Sequence, residues 1–487
     1  MQGRALNYII IIVYLIGIAV VGSKAGGKSR DLKDYFLGAK VVPWLAVCFS
    51  IVAAETSTLT FISIPGLAYL TNLNFLQIAL GYLLGRIVVA FVFLPAYEKG
   101  ELKTAYTFLD NRFGSSARSY ASIVFLITRT AADGVRLFAT AIPLKLLLNI
   151  SYPTAIILIA LVTLIYTYTG GVRGVIWVDV LQMFIYLIGA VISGIFILKL
   201  LPNGWDTFLN TGINTTKFSF INFGFGNGIK GFFSQPYTLI GGILGGAFLS
   251  MASHGTDQLI VQRLLTTKDL KGSQKAVIGS GIIVIIQFAV FLLLGVLLYC
   301  YYGKLNIRSD EIFPMFIINV LPEGLSGLII AGLFAAAMST LAGSISSLSS
   351  SSIIDLFLPR FGKNFNEKQQ LNISRLFTVA WAGLLVMTAL FFIQSDKAVV
   401  ELALSISSFT YGGLLGTFLL GILVKQAKQQ DALIAFSAGL IGMSAVILTK
   451  LTAWTWFTLI GVVITLSAGY SSVIFRRIFA KPGSVKT

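Results

Sequence analysis

The chain has 487 residues, 56% of them apolar and 11% charged, whereas ordinary soluble domains carry about 25% charged residues. That composition excludes a soluble enzyme. The net charge of +17 would suit nucleic acid only if the basic residues gathered in one patch, so their placement along the chain decides their meaning.

A span of the hydrocarbon core takes about 20 apolar residues. Thirteen apolar stretches near that length or longer run over about 7–23, 42–69, 74–98, 118–149, 152–170, 175–200, 232–262, 276–302, 324–356, 373–393, 398–424, 432–449 and 453–475. The pattern predicts an all-α polytopic membrane protein. The first stretch lacks a small-residue cleavage pattern behind it and reads as a retained helix. With the N-terminus outside, the cytoplasmic loops hold 24 of the 36 Lys and Arg residues and the outer side holds 8. This asymmetry predicts a plasma-membrane protein (inner membrane in a bacterium) with the C-terminus cytoplasmic. The basicity is topology, and no nucleic-acid partner is expected. The remaining four, Arg86, Arg129, Arg136 and Lys145, fall inside spans, where a charge costs several kcal/mol unless it is paired or faces water. Cys48 and Cys300 lie in apolar stretches and give no disulfide framework, and a single histidine, His254, gives no basis for a His-based zinc site. No cofactor is expected.

The second to sixth and the seventh to eleventh stretches form two sets of five, and an odd number inverts the second set. The predicted organisation is an extra N-terminal helix and loop (1–41), a first inverted repeat (42–201), an outer cap loop (202–231), a second repeat (232–425), and two C-terminal helices with a tail (426–487). In such 5+5 transporters the first helix of each repeat is broken near the midplane, exposing helix ends to ions and solute. The matching segments carry Glu55, Thr56, Ser57, Thr58 and Thr60 in the first, and Gly241, Gly242, Gly245 and Gly246 before Ser253, His254 and Asp257 in the second. Close helix packing explains the glycines but not two intramembrane acids, so the breaks predict a binding site. In the ninth stretch Ala336, Ser339 and Thr340 stand at i, i+3 and i+4, on one helix face. Their carbonyl and hydroxyls suit sodium, a hard cation that takes oxygen ligands, although hydroxyls in membrane helices can equally be satisfied within the helix. A serine-rich run continues to Ser352.

Three motifs then make a specific resemblance. Gly170 to Gln182 reads GGVRGVIWVDVLQ, Thr256 to Arg263 reads TDQLIVQR, and Thr104, Ala105 and Tyr106 lead to Arg112 and Phe113. Together they resemble the sodium/solute symporter family, which includes sodium-coupled sugar, proline, sialic acid and vitamin carriers. The resemblance implies a LeuT-type core and secondary active symport by alternating access, with sodium as coupling ion. Carried over, it puts the main sodium site at backbone carbonyls of Ala53, Thr56 and Ala336 and the hydroxyls of Ser339 and Thr340. Asp179 matches an aspartate that shares a second sodium with two serines in some members. Those serine positions here are Ala342 and Gly343, so one sodium is expected and Asp179 reads as a coupling or relay residue.

For the solute, Glu55 and Thr60 stand where sugar carriers of the family have Asn and Gln or His, so the sugar fingerprint is missing. Ser57, Thr58 and Thr60 match hydroxyls that bind the carboxylate in sialic acid symporters. The arginine of those symporters aligns with Ala132, and Arg129 and Arg136 flank it; Asp133 could equally neutralise either. The expected protein is a symporter, functional as a monomer in the bilayer, that imports a carboxylate or sugar acid through Glu55, Ser57, Thr58, Thr60, Arg129, Arg136, Ser253, His254 and Asp257. The competing readings are a sugar symporter with a divergent pocket and a membrane sensor. Glu55 needs a cation, and the expected partners are sodium, an arginine such as Arg129, or an amino group on the solute.

Overall fold

Apart from one isolated β-bridge between Val42 and Thr267, regular structure is helical throughout the described residues of the computed structural model, 5–27, 31–99, 102–394, 399–449 and 452–479. Of the basic residues that set the charge asymmetry, Arg4, Lys28, Arg30, Lys397, Lys450, Lys481 and Lys486 lie outside them.

Each expected stretch coincides with a helix or a broken helix: α1 Ala5–Gly26, α2 Trp44–Glu55 with α3 Thr58–Leu70, α4 Leu76–Val88, α5 Ser115–Leu148, α6 Tyr152–Leu200, α7 Leu239–Gly255 with α8 Gln258–Leu264, α9 Leu270–Tyr302, α10 Leu325–Ser351, α11 Glu367–Phe391, α12 Val399–Leu423, α13 Gln429–Thr449 and α14 Phe457–Phe479. At 1.5 Å per residue, the 49 residues of α6 would extend about 74 Å, more than twice the hydrocarbon core. Gly171, with φ 53° and ψ −157°, interrupts it and separates the two stretches expected there; that conformation is open to glycine and strained for other residues. Among the described residues eight helices are long and apolar enough to cross a membrane, and the α2–α3 pair, bent by 63°, makes a ninth. The segment 202–231, expected as an outer cap, carries Trp205–Asn214, and Gly228–Ser234 runs over its end.

Lipid inverts the usual burial pattern. Val13 and Ile16 on α1 and Ile127 on α5 face outward, while nearly all of α10, including its serine run, is buried. Small residues let the buried helices touch backbone to backbone. Gly22 and Gly26 of α1 meet Gly170 and Gly174 of α6, and Gly81 and Gly85 of α4 meet the Gly242–Ala247 stretch of α7. The glycines of the second broken segment are thus packing residues. On the cap side, the ammonium of Lys217 donates to the carbonyls of Tyr69 (2.6 Å) and Thr71 (2.9 Å), satisfying the end of α3.

Candidate functional site

The first break follows from a short extended link. Thr56 leaves the helix at φ −85° and ψ 99°, and the Ser57 hydroxyl caps α3 by accepting from the Thr60 amide. The Thr56 hydroxyl donates back to the Val52 carbonyl at 2.8 Å and accepts from Gln287 of α9 at 2.7 Å. Glu55, the last residue of α2, pairs with Arg86 of α4, whose other amino group donates to Ser280 at 2.8 Å. The Arg86 side chain is fully buried and that of Glu55 is 24% exposed. The His254 ring lies 3.7 Å from the same carboxylate.

The second break is capped by an acid. Asp257 accepts from the Leu259 amide at 2.9 Å, takes a hydrogen bond from Tyr411 at 3.0 Å and pairs with Arg129 at 3.0 Å. Arg129 also pairs with Asp133, four residues on along α5, and Asp133 pairs with Arg136 at 2.9 Å and accepts from Ser344 of α10. Two arginines and two aspartates therefore balance. This is what low-dielectric surroundings demand, since an unpaired charge there is costly.

A cavity of about 440 Å³ lies between the breaks. It brings together Glu55, Ser57, Thr60, Arg129, Arg136, Ser253, His254 and Asp257, eight of the nine residues expected to meet the solute, and adds Thr340. Thr58 is the exception. Its side chain is buried and donates to the Leu333 carbonyl of α10 at 3.1 Å, because one residue past the cap the helix turns it away from the cavity. Arg136 keeps 22% of its side chain exposed, against 9% for the doubly paired Arg129.

Behind the cavity, four elements meet at a fully buried carboxylate. Asp179 of α6 accepts from Ser50 of α2 and Ser339 of α10, both at 2.6 Å, and pairs with Arg263 of α8 at 3.0 Å; Arg263 donates also to Ser50 at 2.8 Å. The guanidinium sits over Gly343, where a Cβ would come within 2.8 Å of it. The Thr340 hydroxyl donates to the Ala336 carbonyl at 3.2 Å. Ala53, Thr56, Ala336, Ser339 and Thr340 are all buried.

A sequence profile of the sodium:solute symporter family matches residues 35–468. The chain belongs to the sodium:solute symporter family. It is therefore a sodium-coupled transporter and not an enzyme, and the sensor reading is set aside. The sodium/sialic acid symporter SiaT of Proteus mirabilis is 28% identical over 98% of this chain and 95% of its own. Human sodium-coupled monocarboxylate transporter 1 is 28% identical over 89% of this chain and 71% of its own. Among solved structures, a substrate-bound, outward-open Na+-coupled sialic acid symporter superposes with a TM-score of 0.87 at 26% identity, covering 96% of this chain and 97% of the other. The closed form of Mhp1, a nucleobase-cation symporter, agrees in fold at a TM-score of 0.55 and 13% identity. The fold is of the LeuT type.

Two cations of the symporter hold places the sequence did not assign. Arg86, read only as an intramembrane charge, is the partner of Glu55 in place of Arg129. Arg263, just past the stretch 232–262 and counted among the 24 cytoplasmic basic residues, lies in the last turn of α8 and is 2% exposed. A signal existed for Arg263, since it closes the TDQLIVQR motif, but a boundary drawn one residue early put it in water. Ser50, Gln287 and Tyr411 carried no local signal.

Proposed function

We propose that the symporter imports a monocarboxylate or sugar acid with one sodium per solute. The observation that carries the carboxylate is the cavity wall itself: the partly exposed Arg136 stands with Ser57 and Thr60, both at the N-terminal end of α3, where hydroxyl and backbone donors favour an anion. The sialic acid symporter and the monocarboxylate transporter described above support the same class.

The sodium site we assign is formed by carbonyls of Ala53, Thr56 and Ala336 with the hydroxyls of Ser339 and Thr340. The break removes the onward partners of the last α2 carbonyls. Ser339 gives its proton to Asp179, which leaves oxygen lone pairs for a cation. Asp179 already has Arg263 as its counter-charge, and Gly343 admits the guanidinium, so a second sodium there is unnecessary. The polarity is N-terminus outside. With Arg263 removed, 23 basic residues still face 8. We assign the working unit as a monomer, since the residues of one chain supply both helix breaks that line the cavity.

A thermal-shift screen of N-acetylneuraminate, pyruvate, glucose and proline, each with sodium and with choline, tests the solute class. A ligand at about 100 times its dissociation constant adds about 2.7 kcal/mol. Sodium-dependent protection by a carboxylate and none by glucose is the expected result; protection by glucose or proline alone overturns it.

A further inference from the structure

The serine run of α10 begins in the site described so far, where Ser344 donates to Asp133, and continues well beyond it. Thr340, Ser344, Ser347 and Ser351 follow at steps of four, three and four residues, which keeps them on one helix face, and the next step of four reaches Asp355. Their residues are between 0% and 7% exposed. Across from this face runs α5, touching it through Asp133 at Ser344 and through Ser122 at Ser351, 2.8 Å away. Two buried polar contacts therefore cross the seam between the two helices, one at each end of the serine run. Gln258, the first residue of α8, fastens it by donating to Ser350 at 3.1 Å and accepting from the Ala105 amide at 2.8 Å.

At its far end Asp355 is 1% exposed and sits in a π-helical turn, Ser352–Phe357, a distortion that recurs at functional sites. Its partners are two hydroxyls, Thr104 at 2.6 Å and Ser351 at 2.9 Å. It makes no ion pair among the described residues, and Arg118 of α5 is held by Asp110 at 2.6 Å. The hydroxyl of Tyr106, two residues from Thr104, is buried without a partner. Every other buried acid of the membrane interior described above has a cation against it. Asp355 has oxygen ligands instead, the donor set a sodium ion takes. The 15 residues from Thr340 correspond to about 22 Å of helix. The cavity extends the other way, toward Leu67, Ser309 and Trp454.

We infer that Asp355, with the hydroxyls of Thr104 and Ser351, is a transit site for the coupling sodium, reached from Thr340 along the α5–α10 seam when that seam opens. One carboxylate and neutral oxygens bind sodium loosely enough for the ion to leave. The seam supplies hydroxyls at each turn, and the carboxylate draws the ion off the main site once the solute has gone.

The inference rests on the proposed solute class only for its probe. Wild-type and Asp355→Asn proteins are reconstituted in liposomes and assayed with labelled N-acetylneuraminate and pyruvate. Net uptake, which requires sodium release, is expected to slow at least tenfold in the variant. Exchange with high sodium on both sides, which does not require it, should stay within twofold of wild type. Thr104→Val, which keeps the shape and removes one ligand, should slow net uptake about threefold and leave exchange unchanged. Net uptake by Asp355→Asn within twofold of wild type overturns the inference, as does a parallel loss of exchange, which marks a purely structural acid. Sodium-driven uptake of neither solute by the wild type overturns the solute class alone, and the inference is then read on radiolabelled sodium, with slowed net efflux and preserved sodium exchange in Asp355→Asn expected and unchanged efflux overturning it.

Discussion

At the first break the cap is a hydroxyl, Ser57, and the acid stands one residue before the gap, with a quarter of its side chain open to the cavity. At the second break the acid is itself the cap, and Arg129 and Tyr411 close over Asp257, which is 2% exposed. Each break ends one helix and starts the next with a side-chain acceptor on an orphan amide, so the backbone device is shared. The charge is handled differently. Glu55 has one cation, Arg86, whereas Asp257 belongs to a set of two acids and two arginines on α5 and α8. A single buried pair has no reserve when one member is lost; a balanced group has partners left to rearrange.

That difference sets the size of several mutational effects. Glu55→Gln leaves Arg86 buried without a counter-charge and is expected to cost about 3 kcal/mol of stability in thermal or denaturant unfolding, with at least tenfold weaker solute binding. Pairing it with Arg86→Met should restore most of the stability, and failure to do so would show that the two residues are not a unit. Asp257→Asn leaves Arg129 paired with Asp133 and keeps an oxygen for the Leu259 amide, while its amide nitrogen can donate to the Tyr411 hydroxyl. Its expected cost is smaller, about 1–2 kcal/mol; a loss as large as that of Glu55→Gln would erase the contrast between the breaks. Thr340→Ala removes one of the proposed sodium ligands and should shift sodium activation of transport about tenfold, near 1.4 kcal/mol. Ser339→Ala should shift it further, because Asp179 also loses a donor. An unchanged sodium curve in either variant would displace the site. The smallest effect is expected far from both breaks, where Lys217→Met uncaps α3 and should lower stability by about 1 kcal/mol, read by thermal unfolding in detergent.

The positions of the breaks were legible because an acid and several hydroxyls interrupt otherwise apolar stretches, a pattern lipid does not tolerate without a reason. The pairing inside the site was not. Whether Glu55 reaches Arg86 or Arg129 depends on how α4 and α5 are rotated about their axes, and the link at Thr56 resets the helix phase at that point. The same reset explains Thr58: sequence adjacency groups it with Ser57 and Thr60, while the turn of α3 sends it to α10. Arg263 was lost to a boundary error of a single residue, large enough to move a cation from the membrane core to a loop. The signature aspartate Asp179 was visible as a motif, but its arginine comes from 84 residues further along, a distance at which the residue pattern carries no geometry.

The central claim, an anionic solute moved with one sodium, makes the transported complex uncharged. Accumulation of labelled N-acetylneuraminate or pyruvate in proteoliposomes under a fixed tenfold sodium gradient, with the membrane potential set independently by a potassium ionophore, measures this directly. One sodium per monocarboxylate predicts about tenfold accumulation, the equivalent of about 1.4 kcal/mol, at 0 mV and at 100 mV alike. Accumulation that rises with an inside-negative potential, by about 2.3 kcal/mol per 100 mV for each net charge carried, would contradict it and require a second sodium beside Asp179.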